Sequence, residues 1–473
     1  MGRRRKIKRI IEQVKITGIA DRGKSIGRTE EGQVLFVENV APGDVVDVLV
    51  LRKKKGVLSG IPNHFHSYSA DRVEPFCQHF GICGGCKWQH LSYEAQLKEK
   101  EIVVRDAIKR IGKLTPKVFL PILPAVETKY YRNKLEFAFS NKRWLTKAEI
   151  ETGRSNLMGT LGFHRPGAFD KIVDIEHCYF QPDPSNDIRN YAKELAIEQG
   201  LEFFATKEES GFLRHLLLRV FTTGETMVIL SFYKEEEAKR KAYLDQLIAK
   251  FPQITSLYYC INPKKNDYIM DLEMIHYHGA KKIKERLGEV VFHIGPKSFF
   301  QTNTKQAERL YNVVVDFCEL KGTENVYDLY TGLGSIALYI ANKCKQVVGI
   351  EEISLAIEDA KINSQLNDIE NAIFYAGDVK EILSEAFAKK HGKPDLVISD
   401  PPRAGMHAKV IDLLLNLAAP RIVYVSCNPS TQARDLNLLS AKYDLIKIQP
   451  VDMFPHTHHI ESVALLQLQQ KTA

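Results

Sequence analysis

Two hydrophobic rhythms divide the chain. From residue 291 onward, near-continuous apolar runs alternate with amphipathic stretches: NVYDLY (325–330) before SIALYIANKC (335–344), KQVVGIEE (345–352) before SLAIEDAKINSQLN (354–367), then AIFYAGD (372–378). PDLVISD (394–400) precedes HAKVIDLLLNL (407–417), RIVYVSC (421–427) precedes TQARDLNLLS (431–440), and YDLIKIQPVDMFP and ESVALLQLQ close the series. Strands apolar on both faces, alternating with helices, predict a doubly wound, mainly parallel α/β sheet of the Rossmann-like kind over 291–473, with ligands at the strand C-terminal ends. Residues 10–70 instead alternate apolar and polar positions in short runs broken by Asp21-Arg22-Gly23 and APGD (41–44). That rhythm predicts a small OB-like β-barrel over 1–70. Between them, 71–290 reads as an α+β region. It starts with a Gly- and Cys-rich loop (71–90) and an amphipathic helix (91–112), followed by strands such as LEFAFS (135–140) and TMVILSFY (226–233) and helices near 190–199 and 236–250.

At 473 residues with 44% hydrophobic content, several domains are expected and the composition is that of a soluble protein. No apolar run reaches the length of a membrane span, and the N-terminus lacks both a secretory h-region and a myristoylation signal, so a cytoplasmic protein is expected. Charge changes the picture more. Residues 1–60 hold 14 Lys/Arg against 7 Asp/Glu, most of the net +8. This suits a barrel that meets phosphates, with Lys53-Lys54-Lys55 at a strand end; a solvated hairpin tip explains the same triplet equally well.

Candidate chemistry lies at the predicted strand ends. Cys427, followed by Asn-Pro, ends one strand, and Asp400-Pro401-Pro402-Arg403 ends another. A thiolate is the natural nucleophile for the electron-poor carbon 6 of a pyrimidine. A free thiol has pKa of about 8.5, which Arg403 could lower. Glu461 is the candidate base, its pKa raised by burial, with His458 and His459 as rivals that would otherwise be solvated loop residues. Asp328-Leu329-Tyr330-Thr331-Gly332-Leu333-Gly334 lets backbone approach a ligand, Glu351 (or Glu352) can accept from ribose hydroxyls, and Asp378 can meet an adenine edge. For each carboxylate a solvated loop or helix cap is the plain alternative. Together they fit S-adenosylmethionine.

Cys77, Cys83 and Cys86 put three soft ligands on one loop, and Cys178 is a plausible fourth; spacing leaves zinc and iron–sulfur open. Trp88, His79 and His90 flank this cluster. Trp88 could stack on a base or, more simply, pack against the cluster. Tyr131-Arg132-Asn133-Lys134 reads either as a phosphate grip or as an ordinary strand start.

The order FFQTN (299–303), DLYTGLGS, GIEE, AGD, DPPRAG, SCNPST and HIESV resembles the RNA uracil-C5-methyltransferases, and residues 10–65 resemble a TRAM domain. The whole chain is most similar to the bacterial 23S rRNA branch that carries both a TRAM domain and an iron–sulfur cluster. The resemblance implies a class I methyltransferase domain with Cys427 as nucleophile and Glu461 as base. It implies Gln301, Tyr330, Glu351, Asp378 and Asp400 at S-adenosylmethionine, and Cys77, Cys83, Cys86 and Cys178 on a [4Fe-4S] cluster. RNA, above all 23S rRNA, is the implied partner, with tRNA or a second rRNA site as alternatives. A monomer without an obligate protein partner is expected. Tyr330-Thr331 stands where relatives often carry Phe-Cys, and segment 141–160 looks long, which bears on RNA contacts. Two other readings stay open: methylation of cytosine carbon 5 or a ring nitrogen, and a non-catalytic RNA-binding assembly factor.

Overall fold

The computed structural model describes residues 9–20, 23–153 and 159–470. The basic extreme N-terminus, Asp21-Arg22 and part of the long 141–160 segment lie outside the described residues.

Strands Arg9–Ile19, Ser25–Arg28, Val34–Val37, Val45–Lys54 and Val57–Ser67 close into a five-stranded barrel. Alternate side chains, among them Val14, Ile16, Leu35, Val46, Val48 and Val50, fill its interior, as a two-residue period requires. Lys54 pairs with Val57 across a two-residue turn in which Lys55 (φ 49°) and Gly56 (φ 81°) are both left-handed. That is the geometry of a tight hairpin whose twist matches its strands, and it lifts Lys53, Lys54 and Lys55 into solvent.

The middle of the chain forms a seven-stranded, mostly antiparallel sheet from Lys134–Ser140 to Ile275–Gly279, with helices Ser185–Glu198 and Glu237–Lys250 packed on it. The C-terminal sheet has eight strands. Ala372–Ala376, Gln346–Glu351, Asn325–Leu329, Leu396–Ser399 and Arg421–Ser426 run parallel, in that spatial order; Glu461–Leu468 then inserts antiparallel, followed by Tyr443–Val451. Strand order reverses between Asn325–Leu329 and Leu396–Ser399, the crevice where such sheets bind ligands.

The eighth strand, Val118–Phe119, comes from before the central sheet and pairs with Lys447 and Ile448. The helix ahead of it, Tyr93–Asp106, continues through a π-turn (Ala107–Ile111) and packs on helix Pro429–Leu439. Gly112 sits at that crossing, where an added Cβ would come 3.1 Å from the Ala433 carbonyl oxygen. Thus the segment between the Cys-rich loop and the central sheet packs with the C-terminal sheet. An amphipathic helix shows which face it buries but not against what, so the sequence alone assigns it to its neighbours in order.

Candidate active site

Cys427 directly follows strand Arg421–Ser426, and Glu461 opens the antiparallel strand beside it. The ladder between them ends at Ser426 opposite Ser462. One further antiparallel step therefore puts Cys427 opposite Glu461. The turn after Cys427 is rigid. Ser426 Oγ accepts from the Asn428 N–H (3.1 Å), Asn428 Oδ1 caps the next helix at the Ser430 N–H, and Pro429 occupies the first helical turn, all favoured at a helix start. Gln432, buried in that helix, donates to the carbonyls of both Tyr424 and Ser462 (3.0 Å each) and so ties the two strands together.

The Asp400-Pro-Pro-Arg loop is bound to this turn. Asn428 Nδ2 and Thr431 Oγ1 both donate to the Arg403 carbonyl (2.9 and 3.2 Å). Asp400, Glu461, Arg403 and Cys427 thereby meet. Burial pushes the Cys427 thiol up to about 11; the Glu461 and Asp400 carboxylates add to the rise, and Arg403, which hydrogen-bonds the thiol, opposes it without prevailing. Arg403 does lower this thiol's pKa, but desolvation and two carboxylates outweigh one cation that is itself exposed. Burial raises Glu461 well above the ordinary carboxylate range, with Asp400 adding and Arg403 opposing. Asp400 is pushed to about 7 by burial and by Asp328.

The rival histidines are not solvated. Burial pushes His459 down to about 3, with His458 next in effect. A ring that acidic is a poor acceptor for an abstracted proton.

The Gly-rich loop follows strand Asn325–Leu329. Tyr330 (φ 64°), Gly332 (φ 58°) and Gly334 (φ 83°) are left-handed, and space beside Gly332 is open for 4 Å. Tyr330 has a Cβ and still holds this conformation, a sign of a site under constraint. Glu351 reaches across, accepting from the Gly332 N–H (3.2 Å) and the Ile353 N–H (3.0 Å). Asp378 caps helix Val379–Ile382 through the Lys380 N–H (3.0 Å) and pairs with Lys380 Nζ at 2.6 Å, which holds its carboxyl below the usual range. It therefore takes the helix-cap role as well as a place near Tyr330. Gln301 lies one turn before helix Thr304–Cys318, its carbonyl accepting from Asn133 Nδ2 (2.8 Å). Asp328, Glu351, Asp378, Asp400 and Glu461 thus line the C-terminal edge of the sheet with carboxylates. Such an edge favours a cationic guest, and the methylsulfonium of S-adenosylmethionine is one.

Cys77, Cys83, Cys86 and Cys178 line one small cavity together with His79, Gln89, Phe163, Ile175, His177 and Phe180. Burial raises all four thiols, and mutual repulsion adds for Cys83, Cys86 and Cys178. Asn186 fixes Cys178 by accepting its N–H (2.8 Å) and donating to its carbonyl (3.3 Å); Gln89 Oε1 accepts the Cys77 N–H (3.2 Å). Four thiols on one cavity are a donor set that suits zinc and an iron–sulfur cluster alike.

Two expectations are corrected. Trp88 does not line that cavity and is not free to stack on RNA. It is buried with Ile19, Ala41 and Leu91, donates to the Gly23 carbonyl (3.3 Å), and seals the barrel against the rest of the molecule. Tyr131 and Asn133 do not grip phosphate. Tyr131 donates to the Pro455 carbonyl (2.8 Å) and Asn133 to Gln301 and Thr304, so they lock the central sheet to the catalytic loops. Sequence reasoning also missed Gln96, Lys100, Asp452 and His456. Gln96 and Lys100 lie four apart on the buried face of helix Tyr93–Asp106, and polar residues on an apolar stripe are a readable signal.

A parallel sheet with its order reversed beside a Gly-rich loop, and an acidic rim at that crevice, defines a class I S-adenosylmethionine-dependent methyltransferase. The sequence matches the family described as tRNA (Uracil-5-)-methyltransferase over residues 201–469 and the TRAM domain over residues 8–62. It is 49% identical over 454 residues (95% of this chain, 100% of the relative) to an uncharacterized RNA methyltransferase of Bacteroides thetaiotaomicron. A Porphyromonas gingivalis protein of the same description is 49% identical over 96% of this chain and 99% of its own. The crystal structure of Pyrococcus abyssi tRNA (uracil-54, C5)-methyltransferase in complex with S-adenosyl-L-homocysteine superposes with TM-score 0.74 at 30% identity, covering 95% of this chain and 99% of that one. The chain belongs to the RNA uracil-5-methyltransferase family and is an RNA methyltransferase. No described helix is long and apolar enough to cross a membrane.

Proposed function

We propose that this enzyme methylates carbon 5 of a uridine in 23S rRNA through a covalent adduct with Cys427. The observation that carries the mechanism is the register that sets Cys427 opposite Glu461, with Asp400 beside both. Tyr330, Glu351, Asp378, Asp400 and Gln301 would hold S-adenosylmethionine, which supplies an electrophilic methyl group for carbon 5. The Cys427 thiol releases its proton to solvent and its sulfur bonds to carbon 6, the carbon 5–carbon 6 π electrons moving to leave carbon 5 nucleophilic as the enolate. Once carbon 5 carries the methyl group, Glu461 takes its remaining proton. The carbon 5–carbon 6 double bond re-forms, the carbon 6–sulfur bond breaks, and the thiolate leaves. A positive charge in the crevice, such as a sulfonium, would lower the cost of both ionised groups. The target base must leave its stack to reach the sulfur.

Cys77, Cys83, Cys86 and Cys178 would hold a [4Fe-4S] cluster, supported by their shared cavity and by the resemblance to the cluster-carrying branch. The barrel with its exposed Lys53, Lys54 and Lys55 supports an RNA substrate, and the resemblance to the branch that carries both a TRAM domain and a cluster favours 23S rRNA. The likeness to the Pyrococcus enzyme favours tRNA as the second reading. Methyl transfer to unmodified 23S rRNA and tRNA, with 5-methyluridine mapped, tests both. Product in 23S rRNA that vanishes in Cys427→Ala supports the proposal. Product in tRNA alone overturns the substrate, and product unaffected by Cys427→Ala overturns the mechanism.

A further inference from the structure

The loop that delivers Glu461, residues 452–460, is clamped from outside its own domain. Lys100 Nζ pairs with Asp452 Oδ1 at 2.6 Å, both side chains fully buried, and donates to the Phe454 carbonyl (3.0 Å); Tyr93 OH donates to Asp452 Oδ2 (2.9 Å). A second grip is on His456. This residue is left-handed (φ 62°) despite its Cβ and is buried. The side-chain amide of Gln96 reads it twice: Oε1 accepts the His456 N–H (2.8 Å), and Nε2 lies 3.1 Å from Nδ1. On the other side, the His456 carbonyl accepts the N–H groups of Lys87 (2.9 Å) and Trp88 (3.1 Å), immediately after Cys86. Phe76, immediately before Cys77, packs edge-on against the His456 ring. A strained turn persists only where its surroundings over-determine it, and five residues later the chain presents Glu461.

We propose that Gln96 and His456 are positioning residues for proton removal: they lock the left-handed turn that aims Glu461 and fasten it to the cysteine loop. The proposal rests on Glu461 being the base. A consequence separates positioning from mere stability. Cys427 is held by its own strand and the Asn428 turn, so addition to carbon 6 and methylation do not depend on the clamp. Only the last proton transfer does. Loosening the clamp therefore strands the methylated adduct, with the carbon 6–sulfur bond intact and the carbon 5 proton still in place.

The test uses the full-length enzyme and an unmodified transcript that the wild type methylates. Adduct is read as protein–RNA complex that survives denaturing electrophoresis, beside released 5-methyluridine and the melting temperature. Glu461→Gln must accumulate adduct; if it does not, the base assignment fails and the clamp is not at issue. Given that control, Gln96→Met, which keeps the volume but not the hydrogen bonds, is expected to accumulate adduct with kcat lowered about 100-fold, as a small misplacement costs, and an unchanged KM for RNA. His456→Asn, which tolerates the left-handed turn and offers Oδ1 to Gln96, is expected to keep turnover near wild type without accumulated adduct. Normal turnover in Gln96→Met, or slow turnover without adduct in a protein that melts like wild type, overturns the inference. Should Gln96→Met fail to fold, His456→Gly, which loosens the same turn from the other side, carries the same expectations.

Discussion

Cys427 and the four-cysteine cavity meet the same physical difficulty in different company. In both places burial raises the thiols, Cys427 and Cys178 each to about 11. Around Cys427 the groups that add to the rise are carboxylates, Glu461 and Asp400; around the cavity they are other thiols. Each region is therefore costly to ionise until a cation arrives, and the company selects the cation. Isolated carboxylates beside one thiol suit a transient guest such as a sulfonium. Four thiols with no acid among them suit metal that stays. The supports differ accordingly. Cys427 hangs from a central strand, whereas the cavity is closed by loops 92 residues apart in sequence, Cys86 and Cys178.

The widest breach of this contrast is Cys427→Ala. Removing the proposed nucleophile is expected to lower turnover by at least about 10⁴-fold while cofactor binding and melting temperature stay near wild type, since the strand and its turn remain. Equilibrium binding of S-adenosylhomocysteine, measured by calorimetry, checks the second half. Comparable loss of binding would mean that the thiol supports the crevice rather than the chemistry.

Cys178→Ser should behave the opposite way. On the proposed [4Fe-4S] assignment we expect loss of the visible iron–sulfur absorbance, a lower melting temperature, and activity reduced about 100-fold, in the range for damage to a metal site. Because the Cys86 loop grips His456, the residual activity should come with accumulated adduct. A variant lacking the cluster that turns over normally would sever the two regions.

The catalytic half was the more legible, and the reason lies in its supports. Regular strands carry their period in the sequence, so the ends at Asp400, Cys427 and Glu461, and the glycines after Leu329, could be read from apolar runs alone. The four cysteines could be grouped by residue type, but only the fold brings Cys178 to the cavity lined by the other three. Trp88 was misread because an aromatic beside a cysteine loop says nothing about the barrel turn at Gly23, which packs against it from 65 residues away. The strand at Val118–Phe119 and the clamp on His456 were invisible for the same reason. Both depend on pairing with segments over 300 residues distant, and nothing local encodes such a partner.

The barrel offers a smaller perturbation that should leave both cysteine sites intact. Lys53, Lys54 and Lys55 are exposed on a hairpin whose turn is set by Gly56. Replacing all three with Ala is expected to weaken RNA binding at low salt and to flatten the dependence of log affinity on log salt by about 2, at roughly 0.7 per lost phosphate contact on single-stranded RNA. The rate at saturating RNA should not change. An unaltered salt slope would remove this hairpin from the RNA surface.

The smallest effect tests the carboxylate side of the contrast through pH. Asp328 and Asp400 are each raised to about 7, mainly by burial, from an ordinary value of 3.8. Between those values the folded protein holds protons that the unfolded chain has released. Their contribution to stability is therefore full below about 4 and is lost as pH rises through 7. Asp328→Asn removes one of the two groups while keeping an oxygen to accept from Thr331, which donates to Asp328 at 2.5 Å. The fall in Tm from acid to neutral pH should shrink in this variant, by a few degrees for each kcal/mol recovered. Bound S-adenosylhomocysteine, a neutral thioether, should leave that pH slope in place, whereas S-adenosylmethionine, with its sulfonium at the acidic rim, should reduce it. If both ligands flatten the slope equally, ligand charge does not stabilise the ionised rim, and the acidic edge selects its guest by shape rather than by sign.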